Sequence, residues 1–403
     1  MRFGVNHTPR QGWFHSWLDL DLDEVQRDFD QIAALGLDHV RIFPLWPLLQ
    51  PNRTLIRHQA LDDVAAVVGA AHSAGLDVVV DVLQGHLSSY DFLPSWVSSW
   101  HRDNLFSSER VVDGQRALVR ALGTRLQGEP GMMGLSVGNE FIQFAADRHP
   151  EQHRTTAEEA GAWLGTLLAA ARETQPRGLH THSYDDDLFF DPTHPFTPAH
   201  AVGLGDATTV HSWVFGHLGP HVGADHPCLA TFARYLCELA VAWSPDPARP
   251  VWLQEVGAPI THVSPERSGE FVTATLEGVA SLEQLWGVTW WCSHDVSREL
   301  ADFPELEYSL GLFDADGRIK DTGRALADFV SGYTDGEAPA GRTALVFPDD
   351  DLAGARRFTA PTGDMFARWS GEALQGRPPA LVPASFATDW AYLASRRITS
   401  VSR

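Results

Sequence analysis

The stretch GLSVGNE, residues 134–140, is a short apolar run that ends in an amide and a carboxylate. A second run of similar design, VWLQE at residues 251–255, also ends in a glutamate. Runs of this length and apolarity predict buried strands, and a carboxylate is rarely buried without a partner. Glu140 and Glu255 are therefore either paired structural groups or working acids, bases or nucleophiles.

Short apolar runs alternate with amphipathic stretches on both sides of these two, up to about residue 335. This alternation is typical of repeated β/α units around a parallel sheet. Eight strands and about eight helices predict a (β/α)8 TIM barrel, because a doubly wound sheet usually has fewer strands and a phosphate-binding glycine turn. The predicted strands are residues 3–6, 39–43, 77–82, 134–137, 179–183, 208–211, 251–254 and 287–291.

The chain after the predicted barrel has a different pattern. The barrel, residues 1–335, is expected to end in a turn-rich polar linker at residues 335–339. Beyond it, strand patterns at 343–347 and 380–382 alternate with helical patterns at 364–374 and 386–395. Residues 340–403 therefore predict a small C-terminal α/β appendage, packed on the barrel or in a homo-oligomer contact.

Composition excludes several classes of function. The 403 residues carry 52 acidic and 30 basic side chains, a net charge of -22, which disfavours nucleic acids and anionic membranes as partners and favours a neutral substrate. No apolar stretch approaches the ~20 residues of a membrane span. Because the N-terminus enters a predicted strand without a charged-then-apolar leader, we expect a cytoplasmic protein.

Polar side chains gather at the ends of the predicted strands. In a (β/α)8 barrel the active site lies at the C-terminal ends of the strands, so these side chains are candidates for binding or catalysis. They are Asn6, His7, Arg41, Asp81, Gln84, His86, Asn139, Glu140, His182, Tyr184, His211, Glu255, Trp290, Trp291 and His294.

The order of these residues resembles that of retaining glycoside hydrolases built on (β/α)8 barrels. Asn139-Glu140 follows strand four and Glu255 follows strand seven, as in clan A and most closely in glycoside hydrolase family five. The resemblance covers residues 1–335. Shorter stretches, among them HVRIFPLWP at 39–47 and QGHLSS at 84–89, look like bacterial exo-β-mannosidases of that family.

The resemblance implies a mechanism that two carboxyl groups can perform. Retaining cleavage needs a nucleophile and an acid/base about 5 to 5.5 Å apart, and Glu255 and Glu140 match these two positions. Glu140 is expected to be protonated at rest, with its pKa raised by apolar walls and a neighbouring negative charge. Arg41 is expected to keep Glu255 ionised.

The resemblance also implies substrate-binding residues. Asn139 would hold the sugar 2-hydroxyl, His86 and His211 would bind other hydroxyls or orient the glutamates, and Trp291 would form the floor of the sugar subsite. Aromatic residues in the loops, where rings stack on sugars, complete the set. The predicted substrate-binding residues are Arg41, His86, Asn139, His211, Trp291, Trp13, Trp46 and Tyr184.

One position departs from the family pattern. The family usually has His-x-Tyr after strand six, with the tyrosine hydroxyl bonded to the nucleophile, but this chain has Trp213 at that place. An indole can donate a hydrogen bond but cannot accept one. The sequence leaves open whether Tyr184 or Tyr308 substitutes for the missing tyrosine.

Other chemistries are less well supported. Residues 134–138 match the Gly-x-Ser-x-Gly elbow of serine esterases, yet Val137 continues the strand and no helix follows directly. The acidic runs 185–187 and 349–351 could hold calcium, but neither has an EF-hand frame, and such runs are usually solvated turns. We predict that no metal and no cofactor is required.

The sequence thus predicts a retaining exo-β-glycosidase acting on an oligosaccharide. The favoured activity is that of a β-mannosidase on short β-1,4-linked oligosaccharides, among them mannosyl-N-acetylglucosamine. Alternatives are an endo-acting glucanase or mannanase, a non-catalytic carbohydrate-binding barrel and a serine esterase.

Overall fold

The computed structural model describes residues 1–100, 103–334, 336 and 341–402. Within them, eight parallel strands follow one another around a nearly closed barrel, in the sheet order β5-β4-β3-β2-β1-β8-β7-β6. The fold is therefore the predicted (β/α)8 TIM barrel. The strands are β1 (Arg2–Asn6), β2 (His39–Ile42), β3 (Asp77–Asp81), β4 (Met132–Asn139), β5 (Thr181–Ser183), β6 (Thr208–Ser212), β7 (Val251–Val256) and β8 (Leu285–Trp291).

Between β5 and β6 the barrel is closed by isolated hydrogen bonds and not by a strand ladder. Thr209 Oγ1 donates to the His182 carbonyl at 2.6 Å, and the Asp206 amide donates to the His180 carbonyl at 2.8 Å. Strand residues are buried on both faces, because helices cover the outside and side chains fill the inside.

Helices connect the strands and bury their apolar faces against the barrel. Helix α1 is an example: the Asp21 side chain caps its N-terminus, and Val25, Phe29 and Ile32 lie buried on one face. The helices are α1 (Leu22–Ala34), α2 (Trp46–Leu49), α3 (His58–Ser73), α4 (Glu109–Arg125), α5 (Ala157–Thr174), α6 (Asp187–Phe190), α7 (Pro198–Gly203), α8 (Gly219–Val222), α9 (Phe232–Trp243), α10 (Ser268–Ala280) and α11 (Asp321–Gly332). None of the helices in the described ranges is long and apolar enough to cross a membrane.

The loops at the C-terminal ends of the strands carry structure of their own. A two-residue hairpin turn, Ser88 and Ser89, joins the short strands His86–Leu87 and Tyr90–Asp91 after β3. Both serines have positive φ, 49° and 71°, which the favoured hairpin turns require and which side-chain-bearing residues adopt rarely. Further 3-10 helices lie at Trp13–Leu18, Phe141–Ala145, Pro227–Thr231, Pro265–Arg267 and Glu305–Ser309.

The C-terminal residues form the predicted small α/β appendage. Its sheet is parallel, with β9 (Arg342–Phe347) between β10 (Ala380–Pro383) and β11 (Ile398–Ser402), and only the third of these strands was absent from the prediction. Linker residues 335 and 337–340 lie outside the described residues. The helices are α12 (Leu352–Phe358), α13 (Asp364–Ala373) and α14 (Trp390–Ser395), and a 3-10 helix covers Ala384–Phe386.

Buried ion pairs and hydrogen bonds tie the appendage to the barrel. Glu238 of α9 is fully buried, and Arg342 of β9 and Arg396 of the appendage both pair with it. Tyr235 of α9 donates to the Thr359 carbonyl at 2.7 Å. The division into two domains, 1–335 and 340–403, stays a prediction.

Candidate active site

Arg41, at the end of β2, lies at the centre of a buried polar cluster. Its guanidinium has no exposed surface, and a buried charge of this kind requires partners on every donor. It pairs with Asp81 through Nε, and Nη1 donates to Glu255 Oε1 at 2.6 Å. Nη1 also lies 3.1 Å from Asn6 Oδ1, and Nη2 donates to Asn139. The cluster thus fixes the side chains of Glu255 and Asn139.

Glu140, His211 and Glu255 form a second group beside this cluster. His211 Nδ1 lies 2.7 Å from Glu140 Oε1 and 3.3 Å from Glu255 Oε2. One carboxylate oxygen from each glutamate and a ring nitrogen of His211 all lie within 4.8 Å of one another. Two carboxyl groups at this separation match the arrangement of retaining glycosidases, in which they are ~5–5.5 Å apart, rather than the wider spacing of inverting enzymes.

The backbone at Glu140 turns the side chain into the barrel mouth. Glu140 has φ of 40°, a left-handed conformation, at the point where β4 passes into the 3-10 helix Phe141–Ala145. Such outliers persist where the surrounding structure over-determines them, and they cluster at functional sites. Gln143 of the same turn donates to Glu140 Oε2 at 2.8 Å and holds the carboxylate.

Both glutamates line one cavity of about 350 Å³ at the C-terminal ends of the strands. This volume lies in the usual range of small-ligand pockets, ~300–1,000 Å³. The remaining wall comes from the ends of five strands, β3, β4, β5, β6 and β8, and from the loops that follow them. It consists of His86, Leu87, Ser88, Ser89, Asn139, Gln143, Arg148, Asp185, Asp186, Trp213, Phe215, Gly216, His217, Trp291 and Glu307.

The protonation states of the group differ from the prediction. Burial works to raise the pKa of Glu140, but the hydrogen bond and the charge of His211 outweigh it, so that the pKa lies below its ordinary value. Burial raises the pKa of Glu255, and His211 and Arg41 oppose this increase only in part. Burial acts to lower the pKa of His211, yet the charges of Glu255 and Glu140 raise it. These directions favour a charged His211 hydrogen-bonded to Glu140 in the free site.

Comparison with known proteins identifies the family. No family model and no curated protein sequence matches the chain. Among solved structures, a Streptomyces cattleya GH5_18 variant in complex with Manβ1-4GlcNAc is 52% identical, covers 99% of this chain and 98% of its own, and superposes with a TM-score of 0.96. The chain belongs to the GH5_18 glycoside hydrolases.

A second GH5_18 structure agrees with this assignment, and a more distant structure shares the fold. A GH5_18 variant from Bifidobacterium longum subsp. longum in complex with Manβ1-4GlcNAc is 42% identical, covers 100% of this chain and 95% of its own, and has a TM-score of 0.96. An exo-β-1,4-mannosidase from an Opitutaceae bacterium is 22% identical, with 95% and 69% of the two chains covered and a TM-score of 0.75. At that identity it shows the fold alone.

The GH5_18 site brings most of the predicted residues together and answers the question left by Trp213. The Trp213 indole Nε1 donates to Glu255 Oε2 at 3.3 Å, so it makes the contact usual for the family tyrosine. Tyr308 donates instead to the Leu300 carbonyl at 2.7 Å. The predicted residues that meet around the cavity are Arg41, His86, Asn139, Glu140, His211, Glu255 and Trp291.

Three predicted binding residues need correction, because the structure places them in packed interior. Trp46 is fully buried, and its indole donates to Gln50 at 2.9 Å. Trp13 packs against Phe303 with ring centroids 4.8 Å apart, and Tyr184 packs against His182 at 4.6 Å. None of these three aromatic rings lines the cavity. Their sequence signal was aromaticity in a loop, which does not distinguish a sugar platform from core packing.

The esterase alternative has no structural basis. Ser136 lies inside β4, is fully buried, and its Oγ is 2.7 Å from Ser183 Oγ. A nucleophile elbow requires an exposed serine on a strained turn between a strand and a helix.

Sequence reasoning missed several cavity residues. The sequence predicts a solvated acidic run at 185–187, yet Asp185 and Asp186 are both buried. Arg148 and Glu307 carried no sequence signal, since each lies in a long loop without a motif. Gln254, whose Oε1 lies 3.2 Å from His211 Nε2, could have been found because it precedes Glu255 at the end of β7.

Proposed function

We propose that this GH5_18 protein is a retaining exo-β-mannosidase. It would release the non-reducing mannose of short β-1,4-linked oligosaccharides, with mannosyl-N-acetylglucosamine as its substrate. The observation that carries the proposal is the pair of buried carboxylates, with oxygens 4.8 Å apart or less, in one cavity at the C-terminal ends of the strands. The complexes of two relatives with Manβ1-4GlcNAc, each solved with a glutamate-to-alanine variant, support the choice of sugar.

The proposed reaction is a double displacement. A Glu255 carboxylate oxygen attacks the anomeric carbon while the bond to the leaving oxygen breaks, and Glu140 gives that oxygen its proton. Glu140 then takes a proton from water, whose oxygen attacks the anomeric carbon and releases Glu255. Arg41 and the Trp213 indole stabilise the carboxylate form of Glu255 as it leaves.

His211 supplies the proton in this scheme. Its Nδ1 lies 2.7 Å from Glu140 Oε1, so the proton needs to move only along one hydrogen bond before Glu140 donates it. A substrate that excludes water from the cavity favours the neutral pair, because separated charges are costly without solvent. Asn139, oriented by Arg41, would bind the sugar 2-hydroxyl, and Trp291 would form the floor of the subsite.

Exo action is supported by the way in which two loops meet at one end of the cavity. The hairpin after β3 and the loop after β8 contact each other, with the rings of Tyr90 and Phe303 5.0 Å apart and Tyr90 Oη 3.4 Å from the Ala301 carbonyl. Trp13 packs against Phe303 behind them. In the proposed enzyme this contact would limit the space beyond the terminal sugar, whereas an endo-acting enzyme needs an open cleft.

Product configuration and chain-end release test the proposal. Proton NMR of Manβ1-4GlcNAc hydrolysis should show β-mannose first, and mannotriose should lose one mannose at a time from its non-reducing end. An α-configured first product would contradict the nucleophile role of Glu255, and mid-chain cleavage of longer oligomers would indicate an endo enzyme.

A matched pair of variants separates catalysis from folding. Glu255→Ala should lose activity by ~10⁴-fold or more while it still binds the disaccharide, because covalent catalysis and charge stabilisation are both removed. Glu266→Ala, at an exposed glutamate of the same β7 loop, should keep wild-type activity. The predicted homo-oligomer and cytoplasmic location stay predictions, which gel filtration and cell fractionation can test.

A further inference from the structure

The two glutamates would lie on opposite sides of the bond that is cleaved, so each marks one side of the cavity. Glu140 protonates the leaving oxygen in the proposed reaction, so the departing sugar must lie on its side of the cavity. Gln143 and Arg148 come from the loop after β4, which carries Glu140. Asp186 and His217 come from the loops after β5 and β6, next along the barrel. These residues face the position of the leaving sugar.

Three consecutive aspartates on this side, residues 185–187, are buried, but they differ in how many hydrogen-bond partners they have. Asp187 has a close partner on each carboxylate oxygen: Arg148 Nη2 lies 2.7 Å from Oδ2, and His217 Nε2 lies 3.0 Å from Oδ1. Asp186, in contrast, has His217 at 3.6 Å, which is too long for a hydrogen bond. Asp185 has Arg148 at 3.7 Å.

Asp185 and Asp186 therefore keep unused acceptors inside the site. Both carboxylate oxygens of Asp185 and Oδ2 of Asp186 are buried without a hydrogen-bond partner in the described part of the chain. The two residues are 4% and 8% exposed, and both line the cavity. A buried carboxylate without a partner is costly, so its retention beside a reaction centre indicates a ligand that supplies donors.

The surroundings define what kind of ligand fits. Burial, with the Asp187 and Glu140 charges, raises the pKa of Asp186 to about 7, so that near neutral pH this group can accept or donate. Arg148 and His217 add donors, and Phe215, whose ring lies 5.3 Å from that of Trp213, adds an apolar face. The site thus offers an acceptor from Asp186, donors from Arg148 and His217, and the ring face of Phe215. This combination suits a sugar that bears an amide.

We propose that Asp186, backed by Asp185 and flanked by Arg148 and His217, recognises the leaving sugar through its amide N–H and hydroxyl donors. The proposal rests on the proposed function and assigns residues to its leaving-group subsite. It makes the acidic run 185–187 a specificity element for 2-acetamido sugars. Asp187 is a positioning residue, because its oxygens are already used by Arg148 and His217.

Two substrates that share mannose and differ in the leaving group test this assignment. An aryl β-mannoside places no sugar near Asp186, whereas Manβ1-4GlcNAc does. Asp186→Asn should lower kcat/KM for the disaccharide by ~10–100-fold, the value of a lost charged hydrogen bond, and change that for the aryl mannoside by about threefold or less. Phe215→Ala should act in the same direction through the lost ring face.

Two controls separate a loss of leaving-sugar recognition in Asp186→Asn from a general loss of activity. Asp350→Asn, in the exposed acidic run 349–351, should match the wild type on both substrates. In a Glu255→Ala background, adding Asp186→Asn should weaken binding of Manβ1-4GlcNAc more than binding of Manβ1-4Man, which lacks the amide.

Four results would overturn the assignment. Equal losses on the two substrates would show that Asp186 acts through Glu140, and no loss on either would show that it has no part in binding. Equal weakening of the two disaccharides would remove the amide specificity. Activity lost in EDTA and restored by Ca²⁺ would make Asp186, Asp187 and His217 a cation site. Wild-type protein inactive on both substrates would instead refute the proposed function.

Discussion

At the scale of single residues, His211 decides how the two glutamates share protons. Without His211, burial would raise the pKa values of both carboxyl groups. The proton would then lie on the glutamate that is less solvated. With it, the pKa of His211 is raised and that of Glu140 is lowered. These directions favour a charged imidazole ring, and His211 Nδ1 contacts both carboxylates.

Replacing His211 should change the pH profile more than the fold. The proposed mechanism needs Glu255 ionised and a proton on the His211–Glu140 pair, so kcat/KM should be bell-shaped. The acid limb should lie above the ordinary glutamate pKa, because that of Glu255 is raised, and the alkaline limb above the ordinary histidine pKa. In His211→Asn the alkaline limb should move to lower pH, since Glu140 must then hold the proton alone. An unchanged alkaline limb would contradict the shared proton.

Trp213 offers a second test at this scale. Its indole donates to Glu255 Oε2 at 3.3 Å, which favours the charged form of this proposed nucleophile. Trp213→Phe should therefore move the acid limb to higher pH and lower kcat by ~10-fold, the value of one charged hydrogen bond. Trp213→Tyr restores a donor and should recover part of the loss. A Phe variant with the wild-type profile would show that the contact is only structural.

At the scale of elements, the loops that follow the strands shape the pocket at the mouth of the barrel. The hairpin after β3 and the loop after β8 meet at one end, where Ser88 and Ser89 of the hairpin line the cavity. Glu307, from the 3-10 helix Glu305–Ser309, lines the same end. Burial raises the pKa of Glu307 to about 7, while Ser88 opposes the increase. In the proposed function these groups would receive hydroxyls of the terminal sugar.

Glu307→Gln should therefore weaken action on every mannoside. We expect kcat/KM to fall by ~10-fold for both an aryl β-mannoside and Manβ1-4GlcNAc, because both present the same terminal sugar. This differs from Asp186→Asn, for which only the disaccharide should be affected. Glu299→Gln, an exposed glutamate of the same loop, is the control. A loss confined to the disaccharide would place Glu307 on the leaving-group side instead.

The sequence revealed elements best where apolar periodicity and strand ends coincide. The barrel strands and Glu140, Glu255 and Arg41 could be predicted because a carboxylate or guanidinium that closes a buried strand stands out. Strand β11, ITSVS, carries too few apolar residues to be noticed, and it forms because β9 offers a free edge. The run 185–187 was misjudged because burial of a loop depends on what packs over it, which no local pattern records.

At the scale of the whole molecule, the appendage supports the loop that carries these aspartates. Arg356 of α12 is 1% exposed, and its guanidinium donates to three backbone carbonyls of the segment after β5. The acceptors are Leu188 at 3.1 Å, His194 at 3.0 Å and Phe196 at 2.5 Å. Burial lowers its pKa to about 10, a cost that only good hydrogen bonds offset. Helix α6, which begins at Asp187, is thereby fixed from outside the barrel.

Arg356→Met should lower both the free energy of unfolding and the preference for the disaccharide substrate. Losing three charged hydrogen bonds and leaving buried carbonyls without donors should lower the free energy of unfolding by about 3 kcal/mol, measured by urea titration. Because the segment after β5 loosens, kcat/KM for Manβ1-4GlcNAc should fall more than that for an aryl β-mannoside. Arg357→Met, at the exposed neighbour, should change neither quantity. If Arg356→Met lost stability but kept the wild-type ratio of the two substrates, the appendage would be a structural addition without influence on the leaving-group side.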